Sequence, residues 1–186
     1  SMTSIVQERN IRLELNENRN RLGGSSSPYE YIQMEYSRAP KGYEPFYISH
    51  FGRHGSRMHT SAEMLSHLDN IFRLADSLQL LTEDGIIAKD LFSMTNDAMK
   101  DHLGELTYVG QQEQEELAER MYANFPEVFT GSATKILAQS TKSDRVIKSM
   151  NYFCQKLHSV NNSLDIKEER LSEKTEFLLH AFRVDL

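Results

Sequence analysis

A run of five residues combines two arginines with one histidine. In Arg53-His54-Gly55-Ser56-Arg57, a guanidinium group stands on each side of one imidazole. Guanidinium groups bind phosphate oxygens through paired N–H donors, which gives this segment the composition of an anion site. A neutral imidazole nitrogen beside a bound phosphoryl group can attack phosphorus and form a phosphohistidine, while the arginines neutralise the remaining oxygens. The segment therefore predicts phosphate binding, with phosphoryl transfer through His54.

The residues around this segment predict a loop between a strand and a helix. Phe46–His50 is a short β-prone run preceded by Pro45, and Thr60 has capping-box spacing to Glu63 at the start of an apolar helical pattern. Ligands of parallel α/β sheets lie beyond the carboxyl ends of the strands, where backbone N–H groups and helix dipoles face an anion. We therefore expect the backbone at Gly55 to approach the ligand closely.

Further helices and strands are predicted along the chain. Helical spacing of apolar residues predicts helices at about 60–81, 83–100, 107–124 and 146–157, and short apolar runs predict strands at 135–140 and 164–167. The acidic run Glu113–Glu116 is typical of a solvated helix face. This order of elements favours an α/β fold with a largely parallel sheet flanked by helices.

A third arginine follows the second predicted strand. Arg145 lies within the first helical turn beyond Lys135–Ser140. The carboxyl ends of neighbouring parallel strands meet at one edge of a sheet, so Arg145 would project into the same crevice as the first loop if the two strands are neighbours. The alternative is a surface ion pair of Arg145 with Asp144 or with a neighbouring residue of the helix.

Composition narrows the classes of partner. The chain has 186 residues, a formal net charge of -6 and 39% hydrophobic residues, which fits one ordinary domain and argues against general nucleic-acid binding. No apolar stretch is long enough to cross a membrane, and we expect no membrane partner. Cys154 is the single cysteine, which excludes an intrachain disulfide and a cysteine-built zinc site. His50, His54 and His59 do not predict a metal site because the neighbouring arginines repel a cation, and we expect no cofactor.

Three segments carry a resemblance to a known family. Arg53–Arg57 is similar to the Arg-His-Gly-x-Arg motif of the histidine phosphatase superfamily. Gly104–Gly110 is similar to the Leu-Thr-x-x-Gly turn that opens that family's next large helix, and Ser140–Met150 resembles its strand-end Ser/Thr segment with an arginine. The long insert between the first two segments, together with Phe125–Phe129, resembles the branch of histidine acid phosphatases, phytases and multiple inositol polyphosphate phosphatases.

The resemblance implies a role for each matching residue. His54 matches the nucleophile that becomes phosphorylated, Arg53 and Arg57 match phosphate ligands of the first loop, and Arg145 matches the third arginine of the pocket. Thr60 falls where many phytase-like members place a phosphate-contacting threonine. The implied fold is phosphoglycerate mutase-like, and the implied activity is hydrolysis of phosphomonoesters, with inositol polyphosphates as substrates. The implied ligands are phosphorylated small molecules or inorganic phosphate, and the implied compartment is periplasmic or extracellular.

Two departures from the family pattern modify these expectations. Met58 and His59 replace an aromatic-proline pair, which leaves the specificity of the outer pocket open. A second pocket histidine with an acidic proton donor is expected far downstream, but the segment Ser172–Leu186 contains only His180 without a following acid pattern. Glu105 is an alternative acid, or simply a loop charge. We therefore expect an N-terminal portion whose sheet is incomplete at the C-terminus, and the alternative function is a catalytically impaired fragment that binds phosphate or a phosphorylated ligand.

The domain organisation follows from the same landmarks. We expect residues 1–42 to form an extension that wraps around the core, and residues 43–186 to form the α/β domain, with a helical insert at about 60–125. If part of the sheet lies outside the chain, uncovered strand edges favour a homodimer.

Overall fold

Helices dominate the computed structural model, which describes residues 11–18, 20, 29, 31, 36–130 and 134–172. The chain forms two units, Ser1–Tyr36 and Ser37–Leu186. The first unit contains α1 (Ile11–Glu17). The second contains, in chain order, α2 (Ala62–Ser77), α3 (Glu83–Met99), α4 (Tyr108–Asn124), α5 (Pro126–Phe129), β1 (Lys135–Ser140), α6 (Asp144–Val160) and β2 (Asp165–Arg170).

The two strands form a parallel pair joined by α6. Lys135 lies opposite Asp165, and the register continues to Ser140 opposite Arg170. Parallel strands need a crossover connection of a dozen or more residues, and α6 supplies it. The prediction of an α/β fold with parallel strands and flanking helices is confirmed, and the strand predicted at 164–167 extends to Arg170.

The strand predicted at Phe46–His50 is wrong. None of these residues joins a strand, and Phe46 and Tyr47 are 90% and 72% exposed. A β-prone run becomes a strand only when a neighbour satisfies its backbone groups, and in the described residues β1 pairs with β2. Side chains anchor the segment instead: Ile48 packs against the core, and the His50 ring stacks on Phe153 with centroids 5.4 Å apart.

The core brings α4 and α6 together. Its buried members are Ala118, Phe129, Leu157 and Leu164, which come from α4, α5, α6 and the turn before β2. Tyr122 of α4 adds a ring contact to Phe129, with centroids 5.3 Å apart. The same apolar cluster therefore holds α4 and α6, the two helices whose side chains contact the loop 53–57.

The observed helix starts agree with the predicted ones for α3 and α4 and differ from the predicted one for α2. Thr82 and Thr107 cap α3 and α4, because each side chain accepts a hydrogen bond from the backbone N–H three residues later. The capping box assigned to Thr60 is wrong: Ser61 is the cap of α2, and its side chain accepts from the Met64 N–H at 3.1 Å. Thr60 therefore lies before the helix cap rather than serving as it.

The helical hairpin of α2 and α3 is more exposed than α4 and α6. Phe72 and Phe92 make its ring contact, with centroids 5.4 Å apart. Ile71 and Leu91 are 62% and 60% exposed, so this pair of helices adds little to the core. Among the described helices, none is both long and apolar enough to cross a membrane.

Candidate active site

Side chains from α4 and α6 hold the backbone of the loop 53–57. The Gln114 amide donates to the Arg53 carbonyl at 3.2 Å, and the Gly55 N–H donates to Ser149 Oγ at 3.1 Å. The Ser56 N–H donates to Glu113 Oε2 at 2.6 Å. These bonds occupy the backbone groups that a short loop would otherwise leave to water, so the loop has a fixed path between the two helices.

Two glycines allow this close approach. A Cβ atom on Gly55 would lie 2.1 Å from the Gly110 carbonyl oxygen, and a Cβ on Gly110 would lie 2.2 Å from the Ser56 carbonyl oxygen. Thr107 completes the contact, because its N–H and its hydroxyl both donate to the Ser56 carbonyl, at 2.9 and 2.8 Å. Gly55 therefore packs on α4, and its N–H is bonded to Ser149; the approach of its backbone to a ligand stays a prediction.

Three arginines lie within electrostatic range of His54. Burial lowers the pKa of His54 below its ordinary value; the hydrogen bond to the Gly55 backbone opposes this shift in part, and the positive charges of Arg145, Arg53 and Arg57 add to it. Burial and the charges of Arg145 and Arg53 also lower the pKa of Arg57, so the guanidinium groups lie within electrostatic range of one another. The structure thus brings Arg145 to the loop arginines, and Asp144 is paired instead with Lys148 at 2.9 Å.

The hydrogen bond of the His54 ring defines its tautomer. His54 Nδ1 lies 2.8 Å from the Gly55 carbonyl oxygen. A carbonyl oxygen only accepts, so Nδ1 carries the proton, and Nε2 of the neutral ring carries the lone pair. The half-buried imidazole therefore has one nitrogen bonded to the loop and the other in the form that a nucleophile requires.

Two of the arginines carry buried donors that the described residues do not satisfy. Arg57 Nε and Arg145 Nε are buried and have no hydrogen-bond partner there. An unsatisfied buried donor costs about 1–3 kcal/mol, and more when it is charged. An oxyanion supplies acceptors of the matching charge, so this pair of donors has the chemistry of an anion site.

Thr60, Gly104 and Glu105 lie at one side of the arginines. Gly104 has φ +74, and a Cβ on it would lie 3.4 Å from Thr60 Cγ2 and 3.8 Å from Arg145 Nη1. Thr60 is therefore near the Arg145 guanidinium, and its contact with phosphate stays a prediction. The Glu105 side chain lies 3.1 Å from His102 Nδ1 and is 51% exposed, so it is engaged on the surface.

The sequence reading missed the residues that hold the loop. Glu113 and Gln114 are 8% and 7% exposed, so the interpretation of the acidic run as a solvated face is wrong for these two residues. The missed signal is spacing: Gly110, Gln114 and Ala118 recur every four residues and form the buried face of α4, with Glu113 beside them. Ser149, 3% exposed, was missed in the same way on α6.

A titration of His54 tests the electrostatics of this site. Burial and positive charge both disfavour the imidazolium, so the titration midpoint of the free protein is expected below 6.5. The neutral nucleophile then dominates at pH 6.5 and above and is lost only at lower pH. Inorganic phosphate is expected to raise the midpoint, because its negative charge stabilises the imidazolium. The measurement is an NMR titration of the imidazole signal that disappears in His54→Asn; a midpoint at or above 6.5 in the free protein contradicts the prediction.

Comparison with known proteins assigns the family. Residues 50–178 match the histidine phosphatase superfamily (branch 2). The chain belongs to this superfamily. No curated protein matches the sequence at a significant level.

Solved structures of a phosphatase from Bifidobacterium longum share the fold. The multiple inositol polyphosphate phosphatase of that organism in complex with inositol hexasulfate is similar with a TM-score of 0.61 and 24% identity over 73% of this chain and 29% of that chain. Its phosphate complex gives a TM-score of 0.62 with the same identity and coverage. Its apo form gives a TM-score of 0.60 with 26% identity, over 69% of this chain and 26% of that chain. The chain thus spans less than a third of the length of these proteins.

Proposed function

We propose that this histidine phosphatase family member hydrolyses phosphomonoesters through a phosphorylated His54. The observation that carries the proposal is the placement of the half-buried imidazole among three arginines, with Nδ1 bonded to the Gly55 carbonyl. The ring has its lone pair on Nε2, and the surrounding charges favour the neutral form that attacks phosphorus. Each feature serves phosphoryl transfer, and together they support that reaction better than binding alone.

The proposed reaction has two displacements. In the first, Nε2 of His54 forms a bond to phosphorus while the bond from phosphorus to the ester oxygen breaks, and the leaving alkoxide takes a proton from a general acid or from water. In the second, water attacks phosphorus and the N–P bond breaks; the attacking water gives one proton back to the general acid or to solvent, inorganic phosphate is released, and neutral His54 is regenerated. Arg53, Arg57 and Arg145 would bind the phosphoryl oxygens in both steps, which stabilises the charge of each transition state.

The proposed substrates are inositol polyphosphates. The Bifidobacterium longum enzyme that shares this fold is a multiple inositol polyphosphate phosphatase, and its structures contain phosphate and inositol hexasulfate. The guanidinium groups near His54 suit the phosphate of such a substrate that reacts, because each can bind two oxygens of one phosphate. Thr60, near the Arg145 guanidinium, is the proposed additional phosphate contact.

Turnover of two substrates tests the proposed function. p-Nitrophenyl phosphate has a leaving group that needs little protonation, whereas the alkoxide that leaves inositol hexakisphosphate depends on an acid, which contributes about 10²–10⁴-fold in rate. We expect phosphate release from p-nitrophenyl phosphate that is lost in His54→Asn and retained in His67→Asn, a substitution on the exposed side of α2. Release from both esters supports the full proposal. Phosphate binding without turnover of either ester contradicts it and favours a phosphate-binding module.

A further inference from the structure

Glu113 is a buried carboxylate that lies against the candidate nucleophilic loop. Its side chain bonds twice to one residue: Oε2 accepts from the Ser56 N–H at 2.6 Å, and Oε1 accepts from the Ser56 hydroxyl at 2.7 Å. The residue is 8% exposed, and a buried carboxylate is retained only where donors compensate its lost hydration. Two short bonds to a single loop residue therefore make Glu113 a specific anchor rather than a helix-surface charge.

The Ser56 N–H belongs to the same peptide unit as the Gly55 carbonyl. This peptide is trans, so its N–H and its C=O point in opposite directions. Glu113 accepts on the N–H side, and His54 Nδ1 lies 2.8 Å from the oxygen on the other side. One planar peptide thus links a buried carboxylate to the ring of the candidate nucleophile.

We propose that Glu113 is a positioning residue that sets the tautomer and orientation of His54 through the Gly55–Ser56 peptide. The inference rests on the proposed function of His54. By fixing the peptide plane, Glu113 directs the carbonyl oxygen at Nδ1, which keeps the proton on Nδ1 and the lone pair on Nε2. A carboxylate that accepts from the N–H also polarises the peptide and strengthens the bond that its carbonyl accepts.

The other hydrogen bonds from α4 and α6 to Gly55 and Ser56 are made to the preceding and following peptides, not to the Gly55–Ser56 peptide. The Gly55 N–H belongs to the preceding peptide and donates to Ser149 Oγ, which itself donates to the Arg145 carbonyl at 2.7 Å. Thr107 bonds to the Ser56 carbonyl, which belongs to the following peptide. Among the contacts of the described residues, Glu113 is thus the side chain that bonds to the peptide whose carbonyl faces the His54 ring.

Four substitutions and an NMR readout of the His54 ring test the proposal. Nitrogen-15 NMR of the histidine rings reports which nitrogen of His54 is protonated, independently of activity. Glu113→Met keeps the length of the side chain and removes both acceptors; we expect the Nε2–H tautomer of His54 to appear and kcat on p-nitrophenyl phosphate to fall by about 10²-fold, with KM changed less. Glu113→Gln keeps an acceptor for the peptide N–H and is expected to retain the Nδ1–H tautomer, with a loss of about tenfold.

Ser56→Ala and Glu116→Gln are the two control substitutions. Ser56→Ala removes the hydroxyl and keeps the peptide N–H, so the His54 tautomer is expected to stay unchanged. Glu116→Gln changes an exposed carboxylate of the same helix, which pairs with Arg120, and is expected to leave both readouts unchanged.

Two outcomes overturn the inference. In the first, Glu113→Met retains the Nδ1–H tautomer and a kcat within twofold of the unsubstituted protein. In the second, Ser56→Ala shifts the tautomer as much as Glu113→Met, which would assign the effect to the hydroxyl. If Glu113→Met does not fold, Glu113→Gln is compared with Ser56→Ala by the NMR shift of the His54 Nδ1–H proton. A weaker bond, seen as an upfield shift of this proton in Glu113→Gln alone, supports the inference, and an unchanged shift in Glu113→Gln overturns it. An inactive protein whose tautomer still shifts in Glu113→Met contradicts the proposed hydrolysis while it supports the link from Glu113 to His54.

Discussion

Arg145→Met is expected to weaken the binding of inorganic phosphate by about 10–100-fold, because charge-assisted hydrogen bonds contribute about 1.5–3 kcal/mol each. Arg145 lies within electrostatic range of His54 and Arg57, and its Nε is buried without a partner among the described residues. Methionine keeps an apolar stem of similar length, so the change removes the guanidinium with little loss of packing. Calorimetric titration with phosphate measures the effect.

The same variant has a second expected result. Arg145 lowers the pKa of His54, so its removal is expected to raise the His54 titration midpoint toward the ordinary value. Arg73→Met, on the exposed side of α2, is the matched control and is expected to change neither quantity. Phosphate affinity within twofold of the original, together with an unchanged midpoint, would identify Arg145 as a surface arginine outside the site.

Gly110→Ala is expected to destabilise the protein by about 3 kcal/mol and to remove phosphate binding, because overpacking against rigid atoms is costly. The added Cβ would lie 2.2 Å from the Ser56 carbonyl oxygen and 2.7 Å from the Ser56 nitrogen. Both atoms are backbone, so no side-chain rotation relieves the contact. The loop must then move away from α4, which breaks the bonds that Glu113 and Thr107 make to Ser56. Urea denaturation measures the change in the free energy of unfolding.

Gly85→Ala supplies the comparison for that substitution. A Cβ on Gly85 meets the end of the Leu81 side chain at 3.3 Å, and this side chain can turn away. Alanine is also favoured over glycine within a helix by about 1 kcal/mol. Gly85→Ala is therefore expected to keep or raise the free energy of unfolding. Equal effects of the two substitutions would contradict the close packing of the loop on α4.

Local chemistry explains which elements were predictable. Thr82 and Thr107 cap helices because each bonds to a backbone N–H three residues away, and such contacts are encoded within one turn. The crossover from β1 through α6 to β2 also follows from patterns of apolar residues along a continuous stretch. The motif at 53–57 could be interpreted chemically because its residue types and spacing are themselves the signal.

Long-range partners explain what the sequence could not show. Phe46–His50 has the composition of a strand, but a strand also requires a neighbour that the motif does not specify. Glu113 has the composition of a surface residue, and its burial depends on Ser56, which lies 57 positions away. The proximity of Arg145 to His54 likewise depends on the packing of α4 against α6. His180 lies outside the described residues, and the proton donor expected far downstream of Ser140–Met150 stays a prediction.

Detection of a phosphorylated His54 distinguishes a nucleophilic histidine from one that only lies beside bound phosphate. The protein is mixed with p-nitrophenyl phosphate, quenched in alkali within milliseconds to seconds, and digested, and the peptide that contains residues 53–57 is examined by mass spectrometry. The expected result is one phosphoryl group on His54 that is stable in alkali, lost in acid and absent from His54→Asn. Release of phosphate without any phosphorylated His54, or equal release by His54→Asn, would contradict the account.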